Sequence, residues 1–88
     1  MKLLFEDQFS KDLDKIIDKN TLKKVAKVID SLEKEPSLTK ITNLKKLKGI
    51  DAAYRIRLGD YRLCFFYQNQ TAIITRILHR KHVYKYFP

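Results

Sequence analysis

Apolar residues in the first half of the chain change their spacing twice, which predicts a strand followed by two helices. Leu3, Leu4 and Phe5 form a short apolar run typical of an opening strand. Two stripes at helical spacing follow, namely Phe9, Leu13, Ile16 and Ile17, and then Leu22, Val25, Ile29 and Leu32. Thr21 is a candidate N-cap of the second helix, and Pro36 and Ser37 end it. Two short, tightly joined helices form an αα-hairpin that must cover another layer.

The second half alternates between apolar and polar residues, which predicts an antiparallel sheet. Residues 37–50 form an irregular or briefly helical crossing that closes at Gly49. Strands are expected at 54–58, 61–67 and 72–78, with a Gly-first hairpin turn at 59–60 and a second turn at 68–70. The pattern therefore predicts a single α+β domain spanning residues 1–88. In this domain, the helical hairpin packs on one face of an antiparallel sheet of about four strands.

The turn at 59–60 sets the register of the first hairpin. A two-residue loop pairs Arg57 with Arg62 and Arg55 with Cys64, so the three arginines share one face and the apolar residues share the other. Like charges directly opposite one another destabilise a sheet by a few tenths to about 1 kcal/mol. Folding alone does not favour this arrangement, whereas a bound phosphate relieves it, because each guanidinium can donate two hydrogen bonds to an oxyanion.

The register of the last strand depends on the loop before it. A tight loop at Asn69-Gln70 pairs Cys64 with Thr75, which brings Thr75 and His79 to the arginine face and turns Arg76 away. A three-residue loop reverses that assignment. The other position predicted for Arg76 is the rim of the sheet, where it can pair with an acidic residue of a helix.

Charge is distributed unevenly along the chain. The net charge is +9, and residues 44–88 contain all the arginines and carry ten basic side chains against two acidic ones. This segregation points to a polyanionic partner. Lys45, Lys46 and Lys48 are predicted to contact RNA, and the C-terminal run His79-Arg80-Lys81 with Tyr84 suits a site that holds a nucleotide and stacks its base. The alternative is that the tyrosines only pack the terminal segment onto the sheet.

Other chemistries find little support in the sequence. The single cysteine excludes a disulfide framework, and Cys64 is expected to be a small buried residue. His79 and His82 lack further ligands nearby, and no glycine-rich phosphate loop is present, so neither a metal nor a cofactor is expected. No apolar run approaches the roughly 18 residues of a membrane span, and we expect a cytoplasmic protein without a membrane partner.

Three motifs resemble the RelE/ParE superfamily of bacterial and archaeal toxins along essentially the whole chain. They are LKKLKG at 44–49, YRIRLGDYRLCF at 54–65 and ILHRKHVY at 77–84. The resemblance implies a RelE-like fold and, for RelE-like members, the toxin of a type II toxin–antitoxin system. Such toxins cut mRNA in the ribosomal A site without a metal. The 2′-hydroxyl attacks the adjacent phosphate and leaves a 2′,3′-cyclic product.

The same resemblance implies site residues. The basic residues of the hairpin strands fall on Arg55, Arg57 and Arg62, the cation after the last strand falls on Arg80 or Lys81, and the functional tyrosine falls on Tyr84, or on Tyr86 or Phe87 if no gap is allowed. Arginines stand here where lysines can stand in the family, and arginine does not release its proton. His79 is therefore a candidate for proton transfer, because histidine exchanges protons near neutral pH.

The partners implied are a cognate acidic antitoxin in a hetero-oligomer, together with the ribosome and mRNA. Two other functions remain open. ParE-like members share the fold but inhibit DNA gyrase, and they tend to have a longer helical hairpin and sparse site cations. The third is a relic that binds nucleic acid or an antitoxin without catalysis.

Overall fold

The computed structural model describes all 88 residues, and a mixed five-stranded sheet organises them. The strand order is β1-β5-β4-β3-β2, with β1 parallel to β5 and every other pair antiparallel. A 3-10 turn at Leu38–Lys40 precedes β2. In chain order the elements are β1 (Lys2–Phe5), α1 (Asp7–Asp14), α2 (Lys19–Lys34), β2 (Leu44–Lys46), β3 (Ala53–Leu58), β4 (Tyr61–Gln68), β5 (Thr71–His79) and α3 (Val83–Tyr86).

This architecture confirms the predicted α+β fold with an N-terminal strand and two helices on one face of the sheet. The predicted antiparallel sheet of about four strands is instead a mixed sheet of five, because β1 lies beside β5 and runs parallel to it. The additional strand is β2, within the segment predicted to be irregular or briefly helical. Its three residues pair with β3, with Leu44 opposite Ile56 and Lys46 opposite Tyr54. No helix of the structure is both long enough and apolar enough to cross a bilayer.

The helix boundaries differ from the apolar pattern at the joint between α1 and α2. α1 ends at Asp14, so Ile16 folds into the core, whereas Ile17, predicted to lie on the apolar face, is 92% exposed. The N-cap of α2 is Asp18 and not Thr21. The Asp18 carboxylate accepts hydrogen bonds from the backbone N–H of Asn20 and from the Thr21 hydroxyl. These bonds, above all the one from Thr21, lower the pKa of Asp18.

Both faces of the sheet are covered. The main core lies under α1 and α2, where Phe9, Val25 and Leu32 pack against Ile56 and Phe65. A smaller cluster lies under α3 on the opposite face and contains Ala53, Cys64, Leu78, Val83 and Phe87. Cys64 is fully buried as predicted, and burial raises the pKa of its thiol to about 12, which leaves it without thiolate character at neutral pH.

The strand registers decide which side chains meet on the α3 face. β3 and β4 pair as predicted, with Arg57 opposite Arg62. The loop between β4 and β5 is also tight, but a bulge after Cys64 makes Thr75 an extra residue and places Cys64 opposite Arg76. Because one extra residue exchanges the two faces of a strand beyond it, the predicted faces of Arg76 and His79 are wrong. Thr75 is itself the extra residue and has no partner on β4. Arg76 shares the arginine face, and His79 leaves it.

Candidate functional site

The α3 face contains a basic cleft built by three neighbouring strands. Arg55 and Arg57 lie two residues apart on β3 and therefore share one face of the sheet. Arg62 stands opposite Arg57 on β4, and Lys45 stands opposite Arg55 on β2. The cleft has two adjoining parts of about 340 and about 400 Å³. We call the two parts together the arginine cleft; its lining residues are Asn43, Leu44, Lys45, Arg55, Arg57, Arg62, Arg80, Lys81, Val83 and Tyr84.

The arginine cleft is lined by six cations and by no carboxylate. Arg55 is only 8% exposed, yet its guanidinium makes neither an ion pair nor a side-chain hydrogen bond. Instead it lies under the ring of Tyr84, 4.9 Å from the centroid, a cation–π contact that holds the group and leaves its N–H donors free. An anion can therefore bind Arg55 without displacing a protein partner.

Arg62 is oriented by the hairpin turn itself. Its Nη1 donates to the carbonyl oxygens of Gly59 at 2.8 Å and Tyr61 at 3.0 Å. Gly59 adopts a φ of 60°, the left-handed conformation that favours glycine, so the turn presents its carbonyl to the arginine at little steric cost. Arg57 is exposed and has no partner. The cleft thus combines two arginines that are held in place with one that is free.

Tyr84 reaches Arg55 because α3 is held on the sheet by two buried apolar residues and by a contact between Tyr86 and Arg76. Val83 and Phe87 are buried under the helix, whereas Tyr84 is 81% exposed. On the other side of α3, the Tyr86 ring lies over Arg76, 5.6 Å from the guanidinium carbon. Two arginine–tyrosine contacts therefore hold the two sides of a helix of only four residues.

Arg76 is in turn held by Asp12 of α1. Arg76 donates to this carboxylate through Nε at 2.7 Å and Nη2 at 3.0 Å, and the backbone N–H of Ile77 donates to it at 3.2 Å. Burial would raise the pKa of Asp12, but these bonds and one from Gln8 lower the pKa below its usual value. The ion pair confirms the rim position predicted for Arg76. The sequence pattern did not identify Asp12 as the partner of Arg76. The available signal was that Asp12 follows Phe9 by three residues and so lies on the apolar side of its helix.

The remaining predicted site residues are not all brought together. His79 stands opposite Tyr61, its ring 5.4 Å from the Tyr61 ring, and its Nδ1 accepts from the Lys81 N–H at 3.2 Å. It lines a different cleft, next to Asp12, so its expected position among the arginines is wrong because of the bulge. Arg80 pairs loosely with Asp60 at 3.6 Å.

The three lysines of the β2 region are not all brought together. Lys46 stands opposite Tyr54 and so belongs to the other face of the sheet, whereas Lys45 lines the arginine cleft and shares a neighbouring apolar cleft with Lys48. The structure contains no group of three His, Cys, Asp or Glu side chains that could hold a metal ion. The polar and aromatic groups that the arginine cleft offers a ligand are six cations, the Asn43 amide and the Tyr84 ring.

Comparison with known proteins gives consistent matches along the whole domain. The family model described as the ParE toxin of the type II toxin–antitoxin system parDE matches residues 3–84. Toxin RelE3 of Methanocaldococcus jannaschii is 39% identical over 89 residues and covers 100% of both chains. The crystal structure of the RelB–RelE antitoxin–toxin complex from Methanococcus jannaschii aligns with a TM-score of 0.84 and 36% identity over 97% of this chain and 99% of that one. The archaeal RelE–RelB complex from Pyrococcus horikoshii OT3 aligns with a TM-score of 0.70 and 26% identity over 90% and 93% of the two chains.

Proposed function

The chain belongs to the RelE/ParE family and is a RelE-like toxin of a type II toxin–antitoxin system, and from this premise we propose that it is a metal-independent endoribonuclease that cuts mRNA on the ribosome. The observation that carries the proposal is the arginine cleft, where six cations and one stacked tyrosine converge without a carboxylate. Such a cleft suits a phosphate whose negative charge grows during the reaction.

The proposed reaction needs no protein nucleophile. The 2′-oxygen of one nucleotide attacks the adjacent phosphorus, the bond from phosphorus to the 5′-oxygen breaks, and the products are a 2′,3′-cyclic phosphate and a free 5′-hydroxyl. Arg55, Arg57 and Arg62 bind the phosphate oxygens and stabilise the five-coordinate state. The ribosome supplies the alignment of the attacking and leaving oxygens, which is worth a large part of the barrier in reactions of this kind.

Proton transfer is assigned to the cleft residues that are able to exchange protons. Arginine keeps its proton, and His79 lines another cleft, so Lys45, Lys81 and Tyr84 are the remaining candidates. We assign the protonation of the leaving 5′-oxygen to Lys81 and the stacking of a base to the exposed Tyr84 ring. A weak base such as water then accepts the 2′-proton, which suffices only when the ribosome holds the RNA in line.

We also propose that a cognate acidic antitoxin neutralises the toxin in a hetero-oligomer in the cytoplasm. The structural relatives from Methanococcus jannaschii and Pyrococcus horikoshii are toxin–antitoxin complexes, and a chain with a net charge of +9 favours an acidic partner. The two proteins, expressed together, should purify together at physiological salt. Their separation under that condition would contradict this assignment.

The test of the nuclease is single-turnover cleavage of mRNA on purified ribosomes, with Arg62→Ala beside the wild type. We expect the wild type to leave 2′,3′-cyclic ends and Arg62→Ala to be about 10²–10³-fold slower, because it loses a donor to the developing charge. Lys23→Gln, an exposed change on α2, is the control. An unfolding temperature close to that of the wild type would show that Arg62→Ala keeps its fold.

A ParE-like gyrase inhibitor is the second candidate, because the matching family model carries that name. Its signature would be gyrase-linked DNA breaks in cells that express the protein, with no cut in mRNA. A protein that produces neither breaks nor cleavage, yet binds its antitoxin, would be a non-catalytic relic. The short α1 of eight residues and the dense cations of the cleft favour the nuclease over both.

A further inference from the structure

A second cleft lies directly beside the arginine cleft and differs from it in chemistry. It encloses about 520 Å³, within the range of sites that hold small organic ligands. Arg55, Lys45 and Tyr84 line both clefts, so these three side chains form the border between them. The rest of the lining is mainly apolar, with Leu47 and Ile50 from the β2–β3 loop and Phe87 from the end of the chain.

The loop that carries Leu47 and Ile50 is organised by its own backbone. The Leu47 N–H donates to the Ala53 carbonyl at 2.9 Å, and Gly49 and Ala52 adopt left-handed φ values of 76° and 62°. Leu47 and Phe87 belong to the smaller core cluster, but Ile50 remains 38% exposed. The fold therefore leaves an isoleucine uncovered at the edge of an apolar cleft in the most basic region of the chain.

Flat, apolar walls with cations at the rim match one class of ligand, a nucleobase attached to a sugar-phosphate backbone. The faces of a base pack on aromatic and aliphatic side chains, and Lys45 and Lys48, which line the same cleft, can bind the adjoining phosphates. A lipid or an apolar peptide would fit the walls but not the shared border with a cleft built for phosphate.

We propose that this apolar cleft binds the base of a nucleotide next to the phosphate held in the arginine cleft, and that Ile50 is its main contact residue. The inference rests on the proposed RNA cleavage for the identity of the ligand, and it adds the site that receives a flanking base. Tyr84 then contacts the base from one side, and the β2–β3 loop contacts it from the other.

The test follows the Ile50 methyl group by NMR while a short RNA binds. The probe is a tetranucleotide with 2′-O-methyl groups, which cannot be cleaved, compared with two analogues that lack the base on the 5′ or the 3′ side of the central phosphate. A stacked base should move the Ile50 δ-methyl resonance upfield, and one of the two abasic analogues should abolish this shift. The methyl group of Ile17, 92% exposed, is the internal control and should not move.

The matched variants are Ile50→Ala and Ile17→Ala, two exposed isoleucines of which only one lines the cleft. Ile50→Ala should weaken binding of the complete tetranucleotide about fivefold and leave binding of the relevant abasic analogue unchanged, since the lost contact is apolar. Ile17→Ala should change neither. An Ile50 resonance that is insensitive to both abasic changes, or no binding at millimolar RNA, would overturn the proposal.

The outcome also separates this inference from the proposed function. Cleavage on ribosomes by the wild type, with equal rates for Ile50→Ala and Ile17→Ala and no base-dependent shift at Ile50, would leave the nuclease in place and remove the base site. A base-dependent shift at Ile50 without any cleavage would keep the base site and remove the nuclease.

Discussion

Replacing Arg57 by glutamine should stabilise the free protein while slowing the reaction. Arg57 stands directly opposite Arg62, close to Arg55 and Lys45, in a cleft without a carboxylate. Its guanidinium makes neither an ion pair nor a hydrogen bond, so the substitution removes repulsion and no attraction. Directly opposed like charges cost a few tenths to about 1 kcal/mol, which sets the expected gain in the free energy of unfolding.

For a domain of this size, 1 kcal/mol corresponds to roughly 4–8 °C in the unfolding temperature. Thermal unfolding followed by circular dichroism should therefore show an increase of a few degrees at low salt. The gain should shrink in 1 M salt, where the Debye length falls to about 3 Å and exposed charges are screened. Lys23→Gln also lowers the net charge by one, at an exposed position of α2, and controls for the general effect of a smaller charge.

The same Arg57 variant should cleave mRNA on ribosomes about 10²-fold more slowly, because the phosphate loses a charged donor. Three results would refute the reasoning. These are a loss of stability in Arg57→Gln, a gain no larger than that of Lys23→Gln, or a gain that persists unchanged in 1 M salt. Any of them would mean that the cleft stores no repulsion for a phosphate to relieve.

Three further predictions follow from contacts outside the phosphate position. Asp12→Asn should cost about 1.5–3 kcal/mol in urea unfolding at pH 7, since it removes charge-assisted hydrogen bonds between a buried carboxylate and the partly buried Arg76. Because the folded pKa of Asp12 is lowered, its stabilisation is fully present above the pKa of the unfolded chain and is lost as pH falls through the folded pKa. The wild type should therefore approach the variant in strongly acidic solution, and a difference that stays constant down to that range would contradict this. His79→Gln should cleave ribosome-bound mRNA at a rate near that of the wild type, whereas Tyr84→Ala should be far slower and Tyr84→Phe, which keeps the stacking ring, should retain activity. A loss in His79→Gln as large as that in Tyr84→Ala would show that His79 takes part in the reaction. Cys64 should resist alkylation by iodoacetamide at pH 7 in the native protein and react once the chain is unfolded in urea, whereas rapid native labelling would contradict its burial.

Much of the candidate site could be predicted because short-range rules govern it. A Gly-first two-residue turn sets the pairing of Arg57 with Arg62, and alternation then places Arg55 on the same face. These rules act within about ten residues and require no knowledge of what packs above the sheet. The apolar stripe of α2 is equally local, since a period of 3.6 residues selects the buried face of a helix.

The predictions failed where a distant part of the chain decides the outcome. β2 is a strand of three residues with no pattern of its own, and its pairing with β3 is what makes it one. The bulge at Cys64 moves Thr75 out of register and exchanges the faces of Arg76 and His79. With that exchange, Arg76 reaches Asp12, 64 residues earlier in the chain, and no local rule links those two positions.

The sequence by itself therefore determined the class of fold and the arginine trio, because turn chemistry, side-chain alternation and helical periodicity act over a few neighbouring residues. The family came from the resemblance carried by three short motifs. Only the tertiary structure decided the position of His79, the ion pair that holds α3 and the apolar cleft beside Tyr84. Those features depend on how α1, the β2–β3 loop and the end of the chain pack on the sheet. Packing between segments far apart in sequence is set by the whole core at once, and no short window of residues contains that information.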